Sequence, residues 1–411
     1  MDPNVPARPP LSPSPQSGET TGVPNLAELS RRLQEGARRL ERAFLGKEEV
    51  VRLLFVSAVA GEHLIMVGPP GTAKSAIARA FASMIDARYF DYLLTRFTEP
   101  NEIFGPVDIQ AFRAGTYRRR IEGMLPQAEV VFLDEIFKAN SAILNSLLTL
   151  LNARRYMHGT DNVKVPLLTM VAASNEVPTD EALSALFDRF LIRVKVDYLD
   201  SFHFRGLLQR GVELEAQAMA DVEPAPPIVR ASELRAMQRH FGKLLEFSED
   251  FLATFKGLVF QIRSEGIGLS DRRVVKLLKL FAASAAFDGR EQVNDGDLFV
   301  LRHVWNTPEQ EEILQEVVGP VLDRWYEQHP EQARIGATPT DLQDLLEELR
   351  IIRQTLTSSE VLSDMQLFSQ LRNLGDIKAA LQRMPDNPTA QRMVGEVDKL
   401  LGTMFASSRF A

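Results

Sequence analysis

The amino-acid sequence predicts an α/β protein: a parallel five-stranded sheet covered by helices on both faces, followed by an all-α lid domain and a C-terminal helical region. Three observations carry that expectation. Five short apolar runs alternate with helical stretches: HLIMV at 63–67, YFDYLL at 89–94, VVFLDE at 130–135, LLTMVAAS at 167–174 and LIRVKV at 191–196. Near-continuous apolar strands of this kind suit a sheet buried on both faces. The first run leads directly into a glycine-rich turn, GPPGTAKS at 68–75, and after Tyr198 no further strand candidate appears.

The elements follow in chain order. Residues 1–24 hold seven of the 23 prolines and no apolar h-region, so a disordered lead-in is expected there, not a signal peptide. From Asn25 to Val59 the pattern is helical, with Leu26, Leu29, Leu33, Leu40 and Phe44 near 3.6 spacing and a break at Gly46. AIARAFASMI at 76–85 reads as the helix opened by the glycine-rich turn, and the nucleotide-binding α/β domain is assigned to 25–198. A connector spans 199–231 and contains VEPAPP. Helical patterns at about 232–263, 270–288 and 295–305 give a lid at 232–307, which Pro308 separates from a helical domain at 308–411. In that last region Leu342, Leu345, Leu349, Ile352 and Leu356 repeat with 3-4-3-4 spacing, which places a helix along a narrow seam of an intramolecular bundle.

Composition narrows the function classes. The formal net charge is −8 and no long Lys/Arg block is present, which disfavours a nucleic-acid arm. The chain has no cysteine, so disulfides, thiol catalysis and Cys-ligated zinc are excluded. Its six histidines show no i, i+4 pairing, which disfavours a metal-dependent hydrolase. No apolar run approaches the ~20 residues that cross a bilayer. A cytoplasmic protein is expected.

The glycine-rich turn fits the phosphate-loop pattern G-x-x-x-x-G-K-[ST], with Ala73 before the lysine. Gly68, Pro69, Pro70, Gly71, Thr72, Ala73, Lys74, Ser75 and Ala76 would wrap a nucleotide's phosphates with main-chain N–H groups at a helix N-terminus. Lys74 would reach the β- and γ-phosphates, and the Ser75 hydroxyl would ligate Mg²⁺. Ala73 keeps its N–H and is expected to begin the helix with φ < 0, because φ > 0 would cost about 1–2 kcal/mol. VVFLDE ends in two carboxylates at the strand edge where ligands bind in such sheets. Asp134 would hold Mg²⁺ through its water shell, and Glu135 would act as general base toward water. Asn175, at the tip of the fourth strand, could orient that water, and Arg189, Arg272 and Arg273 follow in ALFDRF and LSDRRVV.

The ordered set GPPGTAKS, VVFLDE, Ser174-Asn175, LFDRF and SDRR resembles the AAA+ ATPases. FTEPNEIFGPVDI at 97–109, LDEIFKANSAILNSLLTLLNARRY at 133–156, VAASNEVP at 171–178, ALFDRFLIRV at 185–194 and GLSDRRVVKLLKLFAASAAFDGR at 268–290 narrow the likeness to the MoxR family and its RavA-like branch. The resemblance covers about 25–306 and implies an AAA+ P-loop core. Arg189 is then implied as the arginine finger of a neighbouring subunit's site, Asn175 as sensor 1, and Arg272 as sensor 2 with Arg273 second to it. RavA-like proteins also carry alanine before the loop lysine. A finger supplied by a neighbour implies a ring, and the family expectation is a hexamer.

The family also implies channel-facing hairpins at 111–125, a polar turn between short extended pieces, and at 154–167. Tyr117, Arg118, Arg119 and Arg120 either touch a client there or are simply solvated. Ala153 stands where related ATPases often keep an acidic residue, and the region after Pro308 is shorter than in the longest RavA-like proteins. The implied function is an ATP-driven ring chaperone that remodels or matures a protein complex with Mg²⁺ and ATP, beside a partner containing a von Willebrand factor A (VWA) domain. The alternatives are a nucleic-acid motor of the helix-2-insert clade, which the acidic charge disfavours, and a non-hydrolysing nucleotide-dependent scaffold, which the intact Glu135 disfavours.

Overall fold

The structure, a computed structural model, describes residues 25–199 and 226–329 except 160, 179 and 245, with 207–208, 211, 332, 342–357 and parts of 370–407. The lead-in expected at 1–24 and most of the connector lie outside the described residues. The chain divides into two compact units. One takes in the chain up to Leu40, Glu49–Asp197 and Ala225–Ala333, and the other 41–48, 198–224 and 334–411.

In the first unit the five expected strands form one sheet: β1 (Leu64–Val67), β3 (Tyr89–Leu93), β4 (Val130–Asp134), β7 (Thr169–Ser174) and β8 (Ile192–Lys195), in the order β3-β4-β7-β1-β8. Every pairing is parallel, with Leu64 opposite Val171 on one side and Ile192 on the other. All the C-terminal strand ends therefore share one edge of the sheet. Sequence patterning missed a two-residue parallel ladder, in which β2 (Ile85–Asp86) pairs with β9 (Val229–Arg230).

Helix α1 (Leu26–Ala43) buries Leu26, Leu29, Leu33 and Leu40 on one stripe. Helix α2 (Glu48–Ala60) behaves differently and buries ten of its 13 residues. The reason is its place between two layers: Phe55 meets Phe81 of α3 (Lys74–Ser83) at 5.1 Å and Phe287 of the lid at 5.9 Å. A helix covered on both sides has no use for a polar face.

Of the two expected hairpins, the first is corrected and the second forms. The stretch read as a polar turn between extended pieces contains instead a short helix, α5 (Ile109–Arg113), capped by Asp108, whose carboxylate accepts from the Gln110 and Ala111 N–H groups. Only an isolated bridge, Val107 to Arg119, is extended there. The Asp108 cap satisfies free N–H groups that a two-stranded turn would have left to water. The second hairpin does form, with β5 (Arg155–His158) antiparallel to β6 (Asp161–Lys164).

The lid comprises α8 (Ala231–Leu244), α9 (Glu249–Ser264), α10 (Asp271–Phe287) and a 3-10 segment (Asp295–His303). The single helical pattern read over 232–263 is two helices, because Ser248 caps α9 by accepting the Phe251 N–H. Pro308 does not end this unit. Helix α11 (Gln310–Gln328) buries Leu314, Val317, Val318 and Leu322 and packs on the 3-10 segment. In the second unit α12 (Leu342–Thr357) buries Leu345, Leu349 and Ile352 against Leu374, Ile377, Leu381, Ala390 and Val397. The last two lie on α13 (Pro388–Ser407), so the seam is an intramolecular one.

At the N-terminal edge of β1, His63 is buried and its Nδ1 accepts the Met170 N–H at 3.0 Å. Burial, then the charges of Arg154 and Lys276, hold its pKa well below the usual imidazole value. The imidazole thus stays neutral in the fold while the unfolded chain protonates near pH 6.5. Its contribution is complete above that pH and is lost as pH falls toward the folded value, by up to ~1.4 kcal/mol per unit. Urea unfolding at pH 7.5 and 5.5 should show a loss of about 1–1.5 kcal/mol that His63→Gln removes. Equal acid sensitivity in the two proteins would assign the effect elsewhere.

Candidate functional site

The loop between β1 and α3 is shaped by close approach at one end and a backbone reversal at the other. Gly68 donates its N–H to Ser174 O at 3.1 Å, and a Cβ on it would lie 2.0 Å from Val196 O, so no side chain fits there. Thr72 Oγ1 donates to Pro69 O at 2.9 Å and closes the turn. Ala73 then adopts φ 66°, ψ 16° as N-cap of α3. The expectation of φ < 0 is therefore wrong. The chain must reverse between the loop and the first helical turn, and the left-handed conformation makes that reversal whether or not the residue is glycine. Ala73 is exposed, so its methyl meets no obstacle and the cost is the intrinsic one of about 1–2 kcal/mol.

Lys74 is buried, and its Nζ donates to Gly68 O at 2.6 Å, Pro69 O at 2.8 Å and Asn175 Oδ1 at 3.2 Å. Burial pulls its pKa down, and the charges of Asp134 and Glu135 oppose that shift. Ser75 Oγ donates to Asp134 Oδ2 at 2.6 Å. A hydroxyl and a carboxylate oxygen side by side are hard donors of the kind Mg²⁺ prefers, so the residues present fit that ion. Asp134 Oδ1 accepts the Glu135 N–H at 3.0 Å. Glu135 itself sits at φ 52°, ψ 45°, leading into a 3-10 turn at Ile136–Lys138. Its carboxylate accepts from Asn175 Nδ2 on one oxygen and faces Lys138 Nζ at 3.4 Å on the other.

The structure thus brings Gly68–Ala76, Asp134, Glu135 and Asn175 to one edge of the sheet. Three expected residues, Arg189, Arg272 and Arg273, lie elsewhere in the same chain. Arg189 precedes β8, which runs parallel to β1, so it sits at the edge opposite the loop. It pairs with Asp188 at 3.5 Å, and its buried Nε makes no hydrogen bond among the described residues. Arg272 is exposed, with Asn152 Oδ1 3.5 Å away at the end of α6 (Ser141–Ala153). That helix also ends at the opposite edge, since Arg154 donates to Gly61 O and Leu167 O just before β1 and β7. Arg273 is buried and bonds Val304 O at 2.7 Å and Asn306 Oδ1 at 2.9 Å, tying α10 to the segment after the 3-10 turn. Sequence reasoning missed Lys138. The only signal was a lysine three residues after Glu135, a spacing that is common on any surface.

A P-loop strand order with this network and a helical lid defines an AAA+ ATPase. Comparison with known proteins agrees. A family model described as the MoxR domain in the MoxR-vWA-beta-propeller ternary systems matches residues 31–239, and a model of the AAA lid domain matches 250–318. An uncharacterized protein of Methanocaldococcus jannaschii is 38% identical over 282 residues, 68% of this chain and 72% of that one. Chaperone MoxR1 of Mycobacterium tuberculosis is 23% identical over 193 residues, 46% of this chain and 50% of its own length. A crystal structure of a Cytophaga hutchinsonii protein superposes with a TM-score of 0.57 at 18% identity, covering 73% of this chain and 96% of that one, a likeness of fold alone. The chain belongs to the MoxR family.

Replacing Ala73 with glycine should relieve the left-handed strain and raise unfolding stability by about 0.5–1 kcal/mol after the entropy of glycine is counted. Thermal unfolding of the Ala73→Gly variant measures this. An unchanged or lower midpoint would mean that the alanine conformation is cheap here.

Proposed function

We propose that the protein hydrolyses ATP in a ring of subunits and uses the resulting motion to remodel or mature a protein complex, together with a VWA-domain partner. The observation that carries the proposal is the connected set Lys74–Asn175–Glu135 beside Ser75–Asp134. It sets a lysine ammonium, a hydroxyl–carboxylate oxygen pair and a second carboxylate at one edge of the sheet, which supports the roles of phosphate cation, Mg²⁺ ligands and base. With nucleotide bound, Lys74 would exchange the Gly68 and Pro69 carbonyls for phosphate oxygens. Mg²⁺ held by Ser75 and Asp134 would neutralise phosphate charge. Glu135 would take a proton from water as the water oxygen bonds to the γ-phosphorus and the bond to the β–γ bridging oxygen breaks, leaving ADP and phosphate.

The ring reading is supported by the place of Arg189. On the far edge of its own sheet it cannot serve its own loop, so any nucleotide it serves would belong to a neighbouring subunit. A VWA partner is supported by the systems that the matching family description names. A client contact is supported by α5, whose Ile109 and Phe112 are 62% and 61% exposed, and by Tyr117 beside it at 48%. Tyr117 O packs against Gly159 of the second hairpin, and Arg118 pairs with Asp161 at 3.6 Å, so the two insertions lie together.

The shared-site reading has a direct test. Glu135→Gln should lower turnover by about 10²–10⁴ and Arg189→Ala by about 10³–10⁵. If each site is built from two subunits, mixing the two inactive proteins restores part of the ATP turnover. Mixtures that stay as inactive as their components would rule out the arginine finger.

A further inference from the structure

We infer that Asp188 is a positioning residue that holds the Arg189 guanidinium ready for the nucleotide of a neighbouring subunit. The inference rests on the shared-site hydrolysis proposed above and deepens it. An arginine that must meet a phosphate across an interface gains from being held beforehand, because its long side chain otherwise loses rotamer freedom on contact.

Asp188 faces three guanidiniums at once. Its Oδ2 accepts from Arg189 Nη1 at 3.5 Å, while Oδ1 lies 3.7 Å from Arg193 Nη2 and 3.9 Å from Arg273 Nη1. The last two distances exceed a hydrogen bond, so those contacts are charge attraction alone. The three arginines differ in freedom: the Arg193 and Arg273 side chains are 1% and 5% exposed, and that of Arg189 is 27% exposed. Arg193 donates to Phe187 O at 3.3 Å, Phe190 O at 3.1 Å, Asn306 Oδ1 at 2.6 Å and Trp305 O, and it lies 4.2 Å from the centre of the Phe187 ring. Arg273 shares Asn306 Oδ1 with it. Two immobile cations therefore fix one carboxylate oxygen, and the other oxygen holds the movable arginine.

The backbone carries the carboxylate to this place. Helix α7 (Glu181–Phe187) ends in a turn in which Asp188 N–H donates to Ser184 O at 2.9 Å, Arg189 N–H to Leu186 O at 3.0 Å and Phe190 N–H to Phe187 O at 3.1 Å. Leu186 and Phe190 are wholly buried, so the turn is pinned on both sides of Asp188 and Arg189. The charges agree with the geometry. Burial, then the charge of Arg273, pull the Arg193 pKa well down, and burial pulls down that of Arg273; Asp188 opposes both shifts. A guanidinium has several N–H donors, so the bond to Asp188 leaves others for a phosphate.

The experiment is steady-state ATP turnover of the full chain with Mg²⁺ saturating, for the parent, Asp188→Asn, Arg189→Ala and the double variant, with the melting temperature of each. Asp188→Asn should lower kcat about five- to twentyfold and leave KM for ATP within about a factor of two, since its own phosphate loop is untouched. In the Arg189→Ala background the same change should cost less than about twofold, because the group it holds is already gone. An equal mixture of Asp188→Asn and Glu135→Gln should turn over faster than the same total amount of Asp188→Asn alone, since the Glu135→Gln subunits bring correctly held arginines. Asp188→Glu keeps the charge and moves it by one methylene. If the asparagine variant does not fold, Asp188→Glu carries the same cycle, with an expected loss of about two- to fivefold. A kcat for the Asp188 variants at or above that of the parent overturns the inference. So does a merely structural role, which lowers the melting temperature, costs the same with and without Arg189, and leaves the mixture no faster than Asp188→Asn. If Arg189→Ala turns over like the parent, the shared-site reading itself falls, and this inference with it.

Discussion

Strand β1 is hydrogen-bonded to a parallel neighbour along each edge, and all four of its residues are buried. Because the strands are parallel, its C-terminal end must emerge beside those of β7 and β4, which is how Gly68 comes to bond Ser174 and Ser75 comes to face Asp134. At the other end Glu62 is buried and paired with Lys276 at 2.7 Å and Lys279 at 3.5 Å, both from the lid helix α10. One short strand therefore joins the phosphate loop to the lid. Either lysine alone still pairs with the buried Glu62, and only the loss of both would leave its carboxylate an uncompensated buried charge.

Around that strand, backbone strain collects where the chemistry is. Among the described residues three non-glycine positions have positive φ: Ala73, Glu135 and Arg154. The first two belong to the candidate nucleotide site. Left-handed backbone costs of order 1 kcal/mol and persists only where the surroundings over-determine it. At Glu135 the determining contacts are the N–H bond to Asp134 and the closed 3-10 turn behind it. Arg154 has a structural reason instead. It ends α6, and its guanidinium ties the N-terminal ends of β1 and β7 together through Gly61 O and Leu167 O.

The electrostatics of the site follow from the same packing. Lys74 is buried, and three oxygens within hydrogen-bonding distance take the place that phosphate oxygens would fill. Its lowered pKa reflects desolvation that Asp134 and Glu135 offset in part. Anionic phosphate would strengthen the charged form further, so binding and protonation of this lysine reinforce each other.

Much of this was legible in the sequence. The five apolar runs marked the five strands because a sheet covered on both faces needs no alternation, and the loop and acidic pair were readable because their spacing is tied to strand ends. The leucine repeat of α12 likewise gave its buried face. The conformation of Ala73 was not legible, since alanine prefers φ < 0 and only the loop's closure to α3 overrides that preference. Nor was the short helix at Ile109–Arg113, where a single Asp108 cap outweighs an extended-looking pattern. The fusion of α11 with the lid depends on apolar contacts across the chain that no local pattern around Pro308 reports. Which side chains meet, such as Asn175 with both Lys74 and Glu135 while Arg189 stays on the far edge, was decided by tertiary structure alone. Strand order and direction set those distances, and neither is written into any one segment.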